Sequence, residues 1–436
     1  MYKESKFNIS FIRENANYMY NSHTGSLATL DEEYQASLNS INQKDLMNIP
    51  DDHILKLKEA GFIVDEGIDE FLIYKYMTNN SKYSNHFLGL TIATTLQCNF
   101  RCPYCYEEHL DSYFDVEKEE NLKKFIFNNL EDKKALSITW YGGEPLLQKK
   151  MIDRVSKELI KFCDEKKITY NFDMISNGYL LTKEVAQQLV NENKINSVQI
   201  TLDGGPETHN QTRYLRNGQG SFDRILENIK DIADIINVNI RVNVSQNNVA
   251  DIHRLIPILL SNGLNKKVNL YFAPVTVHEG TCQSVSESCL VTEEFSKWET
   301  ELIDYADNLG FEMGNMYPSN LGGGVCTAVS NNTFVIDSEG DLFKCWNEVG
   351  KKESRIGSLT EGITNINQYV NWIEWNFPEK CMDCSIFPLC KGRCPDMSRN
   401  GKEVECNQLK FNIVDRLIRY CMNNPSTPSE NEMIKI

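Results

Sequence analysis

The stretch Cys98-Asn99-Phe100-Arg101-Cys102-Pro103-Tyr104-Cys105 decides the reading of this chain. It places three thiols at C-x3-C-x2-C spacing, with an aromatic residue directly before the third. Three cysteines on one short loop can ligate three irons of a cubane [4Fe–4S] cluster and leave the fourth iron without a protein ligand, whereas full protein ligation takes four thiolates. A missing ligand implies a cluster that binds something else. A zinc loop or a set of buried free thiols is the other reading of the spacing alone.

Working outward, the region from about 88 to 274 alternates strand and helix. Strand candidates are Leu90–Leu96, Ser137–Tyr141, Asn171–Ile175, Ser197–Leu202, Asn239–Val244 and Val268–Phe272, each rich in β-branched or aromatic residues and ending in polar or glycine-rich sequence. Between them run apolar stripes at helical spacing, such as Phe222, Ile225, Leu226, Ile229, Ala233 and Ile236, and Met151, Val155, Leu159 and Phe162. Such alternation implies a parallel sheet with right-handed crossovers. Six units make an incomplete α/β barrel, whose active site lies at the C-terminal strand ends. The cysteine loop falls at that end of the first strand.

Further polar motifs follow the next strands in order. Tyr141-Gly142-Gly143-Glu144-Pro145 follows the second, where paired glycines let the backbone approach a ligand and the acid can meet a cation. Ser176-Asn177-Gly178 follows the third, and Leu202-Asp203-Gly204, leading to His209-x3-Arg213, follows the fourth. Each alone reads equally well as a turn. Arg241 and Asn243 alternate along the fifth strand, so both point to one face, and a charge there needs a partner.

In this order the four motifs resemble those of the radical S-adenosylmethionine enzymes. The resemblance implies that Cys98, Cys102 and Cys105 hold a [4Fe–4S] cluster whose open iron binds S-adenosylmethionine. It also implies that Tyr104 lies against the cofactor, that Glu144 binds the methionine amino group, that Ser176 and Asn177 meet the ribose, and that Arg213 meets the carboxylate.

The chain has 436 residues and 14 cysteines. Seven of the cysteines lie between 326 and 406, and Cys163, Cys282, Cys289 and Cys421 are scattered. In a reducing compartment that usage means metal or redox chemistry rather than disulfides. Cys326, Cys345, the run Cys381-x2-Cys384-x5-Cys390-x3-Cys394, and Cys406 resemble the SPASM domain, which carries two auxiliary [4Fe–4S] clusters. The resemblance assigns Cys381, Cys384, Cys390 and Cys406 to an outer cluster, and Cys326, Cys345 and Cys394 to an inner one. The inner cluster is then one thiolate short, so either a distant cysteine completes it or the open iron can hold a substrate thiolate. Zinc remains the alternative for the C-x2-C pair.

Residues 1 to about 85 read as a hairpin (Phe7–Phe11 and Tyr18–Tyr20), two helices (Glu32–Ile41 and His53–Ala60), a C-cap at Gly61 and a strand at Phe62–Val64. The pattern resembles the winged-helix peptide-recognition domain of enzymes that mature ribosomally made peptides; a structural extension is the other reading.

The expected fold class is therefore α/β: a winged-helix-like domain (1–85), a partial (β/α)6 barrel (86–310) and a cysteine-rich SPASM domain (311–436). The expected function is radical maturation of a precursor peptide of the sactipeptide or ranthipeptide type, forming a thioether, with a flavodoxin or ferredoxin as electron donor. Carbon–carbon cross-linking, anaerobic sulfatase maturation and a non-catalytic iron–sulfur protein are the alternatives. Sulfatase-maturing enzymes carry an aspartate after the cysteine that corresponds to Cys345, where this chain has Trp346. The net charge of −16 excludes a nucleic-acid surface, because phosphate binding needs a cationic field. With no membrane-length apolar run and no signal-peptide pattern, the expected location is cytoplasmic, with no membrane partner.

Overall fold

The computed structural model describes residues 1–107, 109–276, 283–313, 317–319, 326–399 and 405–423. It divides into two compact units: Met1–Lys82 with Asn315–Cys326 and Trp375–Ile436, and Tyr83–Gly314 with Thr327–Glu374.

The first unit gathers both ends of the chain. β1 (Tyr2–Glu4) is followed by the hairpin β2 (Asn8–Arg13) and β3 (Ala16–Asn21), then β4 (Leu27–Leu30), α1 (Glu32–Asn42), α2 (Asp51–Glu59), β5 (Ile63–Asp65) and α3 (Glu70–Lys82). Glu14 and Asn15 both adopt positive φ, 50° and 66°, the conformation that a tight two-residue hairpin demands. The Asp31 side chain caps α1 by accepting from the Glu33 and Tyr34 N–H groups. Helices and sheet bury Met19, Leu30, Tyr34, Leu38, Leu57 and Phe62 between them.

Two further cores join this domain to the C-terminal segment of the same unit. Phe11, Tyr20 and Leu27 pack with Ile386, Ile413 and Leu417. Phe7 and Tyr74 pack on Phe387, with Cys381 and Cys384 against the same cluster. Tyr74 Oη donates to the Pro388 carbonyl at 3.0 Å, and Lys6 Nζ donates to the Met382 carbonyl at 2.9 Å.

The second unit holds the barrel. Six parallel strands pair in chain order: β6 (Phe87–Ala93), β7 (Ala135–Tyr141), β8 (Thr169–Ser176), β9 (Ile195–Thr201), β10 (Asn237–Val244) and β11 (Val268–Pro274). The crossover helix Phe222–Ile232 buries Phe222, Ile225, Ile229 and Ile232 against the sheet, as its stripe predicts. The sheet also continues past β6. β12 (Thr333–Ile336) runs parallel to β6, and β13 (Asp341–Phe343), β14 (Gly357–Ser358) and β15 (Gly362–Ile363) add antiparallel to complete ten strands. Among the described residues, no helix is long and apolar enough to cross a membrane.

The turn between β12 and β13 is organised by buried Asp337, whose Oδ1 accepts from the N–H groups of Glu339 (3.0 Å) and Asp341 (2.9 Å). Burial, with Asp341 and Glu339 close by, pushes its carboxyl up to about 6.

Two predictions follow from this packing. A folded-state value above the ordinary carboxylate range means the native state binds this proton more tightly than the unfolded chain, so the Asp337 contribution is greatest at low pH and is lost as pH rises through about 6. Asp337→Asn keeps the acceptor and removes the charge. Its unfolding free energy in a urea titration should exceed that of the native chain at pH 8 by on the order of 1–3 kcal/mol, and the gain should vanish towards pH 4. In the first unit, Tyr74→Phe should cost about 1 kcal/mol, and Phe387→Ala about 3–5 kcal/mol, in the same measurement.

Candidate active site and cluster-binding segments

The cysteine loop leaves the end of β6, and its root is pinned by the exit of β7. Gly143 N–H donates to the Thr95 carbonyl and Glu144 N–H to the Gln97 carbonyl, both at 3.0 Å. A Cβ on Gly142 would sit 2.4 Å from the Thr95 oxygen, and one on Gly143 would sit 2.3 Å from the Gln97 oxygen. The glycine pair is therefore demanded by contact between two backbone segments of the protein itself, rather than by the close approach of a ligand that the motif alone suggests.

Glu144 is fully buried. Its Oε1 accepts from Leu146 N–H (3.1 Å) and Ser176 Oγ (2.9 Å), and its Oε2 accepts from Asn177 N–H (2.8 Å). Burial raises its pKa, while these donors and Arg213 pull the other way. The Ser176 hydroxyl also accepts from Gly178 N–H at 3.0 Å. Asn177 Nδ2 donates to Asn99 Oδ1 at 2.7 Å and lies 3.8 Å from Cys98 Sγ. Glu144, Ser176 and Asn177 thus form one network whose outer member touches the cysteine loop. Asn99 Nδ2 is buried with no partner among the described residues.

Cys98, Cys102 and Cys105 are half-buried on this loop. Phe100 N–H lies 3.3 Å from Cys98 Sγ, and Cys105 N–H donates to the Cys102 carbonyl at 3.1 Å. Burial pushes the Cys98 and Cys105 thiols up to about 12; Glu144 adds to the effect at Cys98 and Glu107 at Cys105, with the neighbouring thiols acting the same way. A group of buried thiols is held as thiolates by a cationic metal centre, so the donor set suits a cluster. At the spacing of a single ion, no three Cys, His, Asp or Glu side chains converge among the described residues.

The loop is stitched to the segment that carries Arg213. Arg101 N–H donates to the Tyr214 carbonyl (2.9 Å), and Arg216 N–H donates to the Asn99 carbonyl (2.8 Å). The Arg213 guanidinium lies 5.8 Å from the Phe100 ring centroid, and its Nη1 donates to Tyr104 Oη at 2.8 Å. Burial works against its charge, but Tyr104, Cys102 and Asp203 together raise its pKa well above the usual arginine value. Tyr104 Oη in turn donates to Asp203 Oδ2, and Asp203 Oδ1 accepts from Asn243 N–H at 3.0 Å. Arg241 Nε donates to Asn243 Oδ1 at 2.8 Å, so these two residues of β10 share a face. His209 is structural: it is buried and held neutral, its Nδ1 facing Asp203 N–H (3.3 Å) and its Nε2 facing Ser221 Oγ (3.0 Å). Sequence reasoning listed Asp203 only as part of a turn. Its pairing with Tyr104 spans 99 residues and leaves no local signal.

In the first unit, Cys381, Cys384, Cys390 and Cys406 line one cavity of about 320 Å³, together with Phe387, Arg393 and Lys410. Lys391, Gly392 and Arg393 all adopt positive φ (54°, 74° and 70°), which turns the chain sharply between Cys390 and Cys394. Arg393 Nη1 donates to the Cys406 carbonyl at 2.7 Å, and Lys410 Nζ lies 3.9 Å from Cys384 Sγ. Burial pushes the Cys381 thiol up to about 11, and the other three thiols add to it. Cys394 is half-buried, Cys326 exposed and Cys345 buried. Cys163 and Cys421 are buried in helices, Cys289 is half-buried, and Cys282 lies outside the described residues.

Residues 92–256 match the Radical SAM superfamily. The chain carries a radical SAM domain over those residues and is an enzyme, and its cofactors are S-adenosylmethionine and [4Fe–4S] chemistry. Its cysteine-rich C-terminal segment is consistent with auxiliary clusters of the SPASM type. It is 25% identical over 344 residues to the cysteine-type anaerobic sulfatase-maturating enzyme of Clostridium novyi, covering 70% of this chain and 86% of the relative. It is 22% identical over 442 residues to the radical SAM cyclopropyl synthase TigE of Paramaledivibacter caminithermalis, covering 87% and 86%. Its fold matches the structure of anSMEcpe with bound AdoMet and the Kp18Cys peptide, at a TM-score of 0.60 and 20% identity, over 77% of this chain and 99% of that one.

The contact between the two strand exits is open to test. Gly143→Ala must displace the Gln97 carbonyl and with it the base of the cysteine loop. Iron retained at the loop, and 5′-deoxyadenosine formed under reducing anaerobic conditions, should both fall at least tenfold.

Proposed function

We propose that the chain is a peptide maturase, with a winged-helix-like peptide-recognition domain at 1–85, a radical barrel at 86–310 and a SPASM domain at 311–436. The observation that carries this reading is the pairing, in one chain, of two thiol sites of different character. One is a barrel-end loop of three thiols flanked by buried donors of Asn99 and Arg213 that have no partner among the described residues; the other is a cavity walled by four thiols.

When bound, the cluster and S-adenosylmethionine supply a 5′-deoxyadenosyl radical that abstracts hydrogen from the substrate. The protein's own part is to bind, orient and exclude water. Cys98, Cys102 and Cys105 would hold the cluster, and Tyr104, Glu144, Ser176, Asn177 and Arg213 would hold the cofactor. Arg213 supplies a permanent positive charge suited to a carboxylate. In the C-terminal segment, Cys381, Cys384, Cys390 and Cys406 would hold the outer auxiliary cluster, and Cys326, Cys345 and Cys394 the inner one. The winged-helix-like domain would capture the leader of a precursor peptide, and a flavodoxin or ferredoxin would deliver the electron.

The product we propose is a thioether between a peptide cysteine and a carbon of the same peptide. The sulfatase-maturing alternative draws support from the Clostridium novyi relative. Against it stands Trp346, half-exposed with its ring 6.0 Å from that of Tyr141, at the position where those enzymes carry an acid.

The experiment is anaerobic reconstitution with iron and sulfide, followed by dithionite and S-adenosylmethionine. Native protein should form 5′-deoxyadenosine, and the Cys98→Ala, Cys102→Ala, Cys105→Ala triple variant none. Iron-loaded protein that neither forms it nor binds S-adenosylmethionine would sink the reading. With the peptide supplied, a mass loss of two hydrogens with no iodoacetamide-reactive thiol marks a thioether; the same loss with the thiol still reactive marks a carbon–carbon link.

A further inference from the structure

We propose that Asp203 and the Tyr104 hydroxyl form a positioning relay that aims the Arg213 guanidinium at the carboxylate of bound S-adenosylmethionine. The inference rests on the reading that Arg213 meets that carboxylate.

The hydrogen-bond directions carry it. Asp203 is 1% exposed, and its Oδ1 is fixed by the backbone N–H of Asn243 at 3.0 Å. Its Oδ2 then has one role, which is to accept the Tyr104 hydroxyl proton. A phenol whose proton is committed in one direction presents its lone pairs in the others. Arg213 Nη1 sits at one of them, at 2.8 Å, while Asn243 Nδ2 is 3.5 Å away. With an acceptor as its partner, Tyr104 can only donate to Asp203 and only accept from Arg213.

The edge of Arg213 left open is the informative one. Its Nε is buried and unpartnered, and Nη2 has no hydrogen bond among the described residues. Bidentate recognition of a carboxylate uses two parallel N–H groups of the planar fork, and Nε with Nη2 is such a pair. Tyr104 therefore occupies the side of the guanidinium that leaves the fork free. The main chain of Arg213 is tied to the same turn: its N–H donates to the His209 carbonyl at 2.7 Å, its carbonyl accepts from Ser221 Oγ, and His209 bridges Ser221 to Asp203. Both the head and the base of the arginine are thus located from Asp203. A surface ion pair would need none of this.

Tyr104→Phe keeps the ring and deletes the hydroxyl, and Asp203→Asn keeps the shape and removes the charge. In the iron-loaded full chain without reductant, each should weaken binding of S-adenosylmethionine about tenfold in a calorimetric titration, the scale of one charge-assisted hydrogen bond. Binding of 5′-methylthioadenosine, which carries the nucleoside without the amino-acid carboxylate, should change less than twofold. In turnover, KM for S-adenosylmethionine should rise far more than kcat falls, with iron content and visible spectrum unaltered.

Arg213→Lys separates the layers of the claim. If it leaves S-adenosylmethionine binding intact, the assignment of Arg213 on which the relay rests is wrong. If it weakens binding while Tyr104→Phe and Asp203→Asn do not, Arg213 stands and the relay falls. Equal losses for both ligands would make the two residues structural and overturn the proposal as well. Should Asp203→Asn fail to fold, Tyr104→Phe, which disturbs no buried charge, decides alone.

Discussion

The structure turns on two backbone hydrogen bonds, from Gly143 and Glu144 to the carbonyls of Thr95 and Gln97. They press the exit of the second barrel strand onto the root of the cysteine loop, closer than any side chain would allow. Everything at the barrel mouth is placed relative to that contact. Glu144 is carried by the same turn, so its carboxylate arrives beneath Ser176 and Asn177, and Asn177 reaches the cysteine loop from the far side. Adjacent parallel strands lie about 4.8 Å apart, which alone would leave their loops free to diverge. The glycine pair converts neighbouring strands into one rigid platform.

A comparable interlock operates in the other unit. The N-terminal hairpin and α3 bury Phe7 and Tyr74 against Phe387, which lies between Cys384 and Cys390 in the chain, and Cys381 and Cys384 lie against that same core. The aromatic rings lie in contact, those of Tyr74 and Phe387 4.9 Å apart by centroid and those of Phe377 and Phe387 4.8 Å apart. Edge-to-face packing of this kind adds about 0.5–1.5 kcal/mol per pair beyond area burial. The thiol-bearing segment has little regular structure of its own, with helices of four residues at Phe387–Cys390 and Pro395–Ser398. It takes its rigidity from the domain at the opposite end of the chain.

The barrel was legible because its strands carry two independent signals, composition and strict alternation with helical stripes; all six expected strands overlap the observed ones. The hairpin and the first two helices of the N-terminal domain were legible for the same reason. What escaped had no pattern to read. β12 is buried on both faces, and β14 and β15 have two residues each, so none of them alternates. Helix α3 exposes Leu72, Ile73, Tyr76 and Met77 while burying Tyr74 and Thr78, so its apolar residues form no single stripe. At the site, the residue types were visible as motifs following successive strands, but their partners were not. The Asp203–Tyr104 pair is a consequence of strand order and register, which only the folded sheet supplies, whereas Arg241 and Asn243, two apart on one strand, already share a face by alternation.

The two thiol sites differ in a way that separates their chemistry. Around the barrel loop, polar groups with unused hydrogen-bonding capacity converge: Asn99 Nδ2 and the open edge of Arg213. Buried donors left without partners are costly, about 1–3 kcal/mol each, and persist where a ligand completes them. The cavity of Cys381, Cys384, Cys390 and Cys406 is built otherwise. Pro378, Ile386 and Phe387 contribute apolar wall, Arg393 is tied to the Cys406 carbonyl, and Lys380 and Lys410 also line the cavity. Four thiols on one cavity, with lysine and arginine side chains beside them to offset thiolate charge, suit an inorganic cluster. The barrel loop, with three thiols and donors without partners among the described residues beside them, suits the cluster and polar organic cofactor proposed for it.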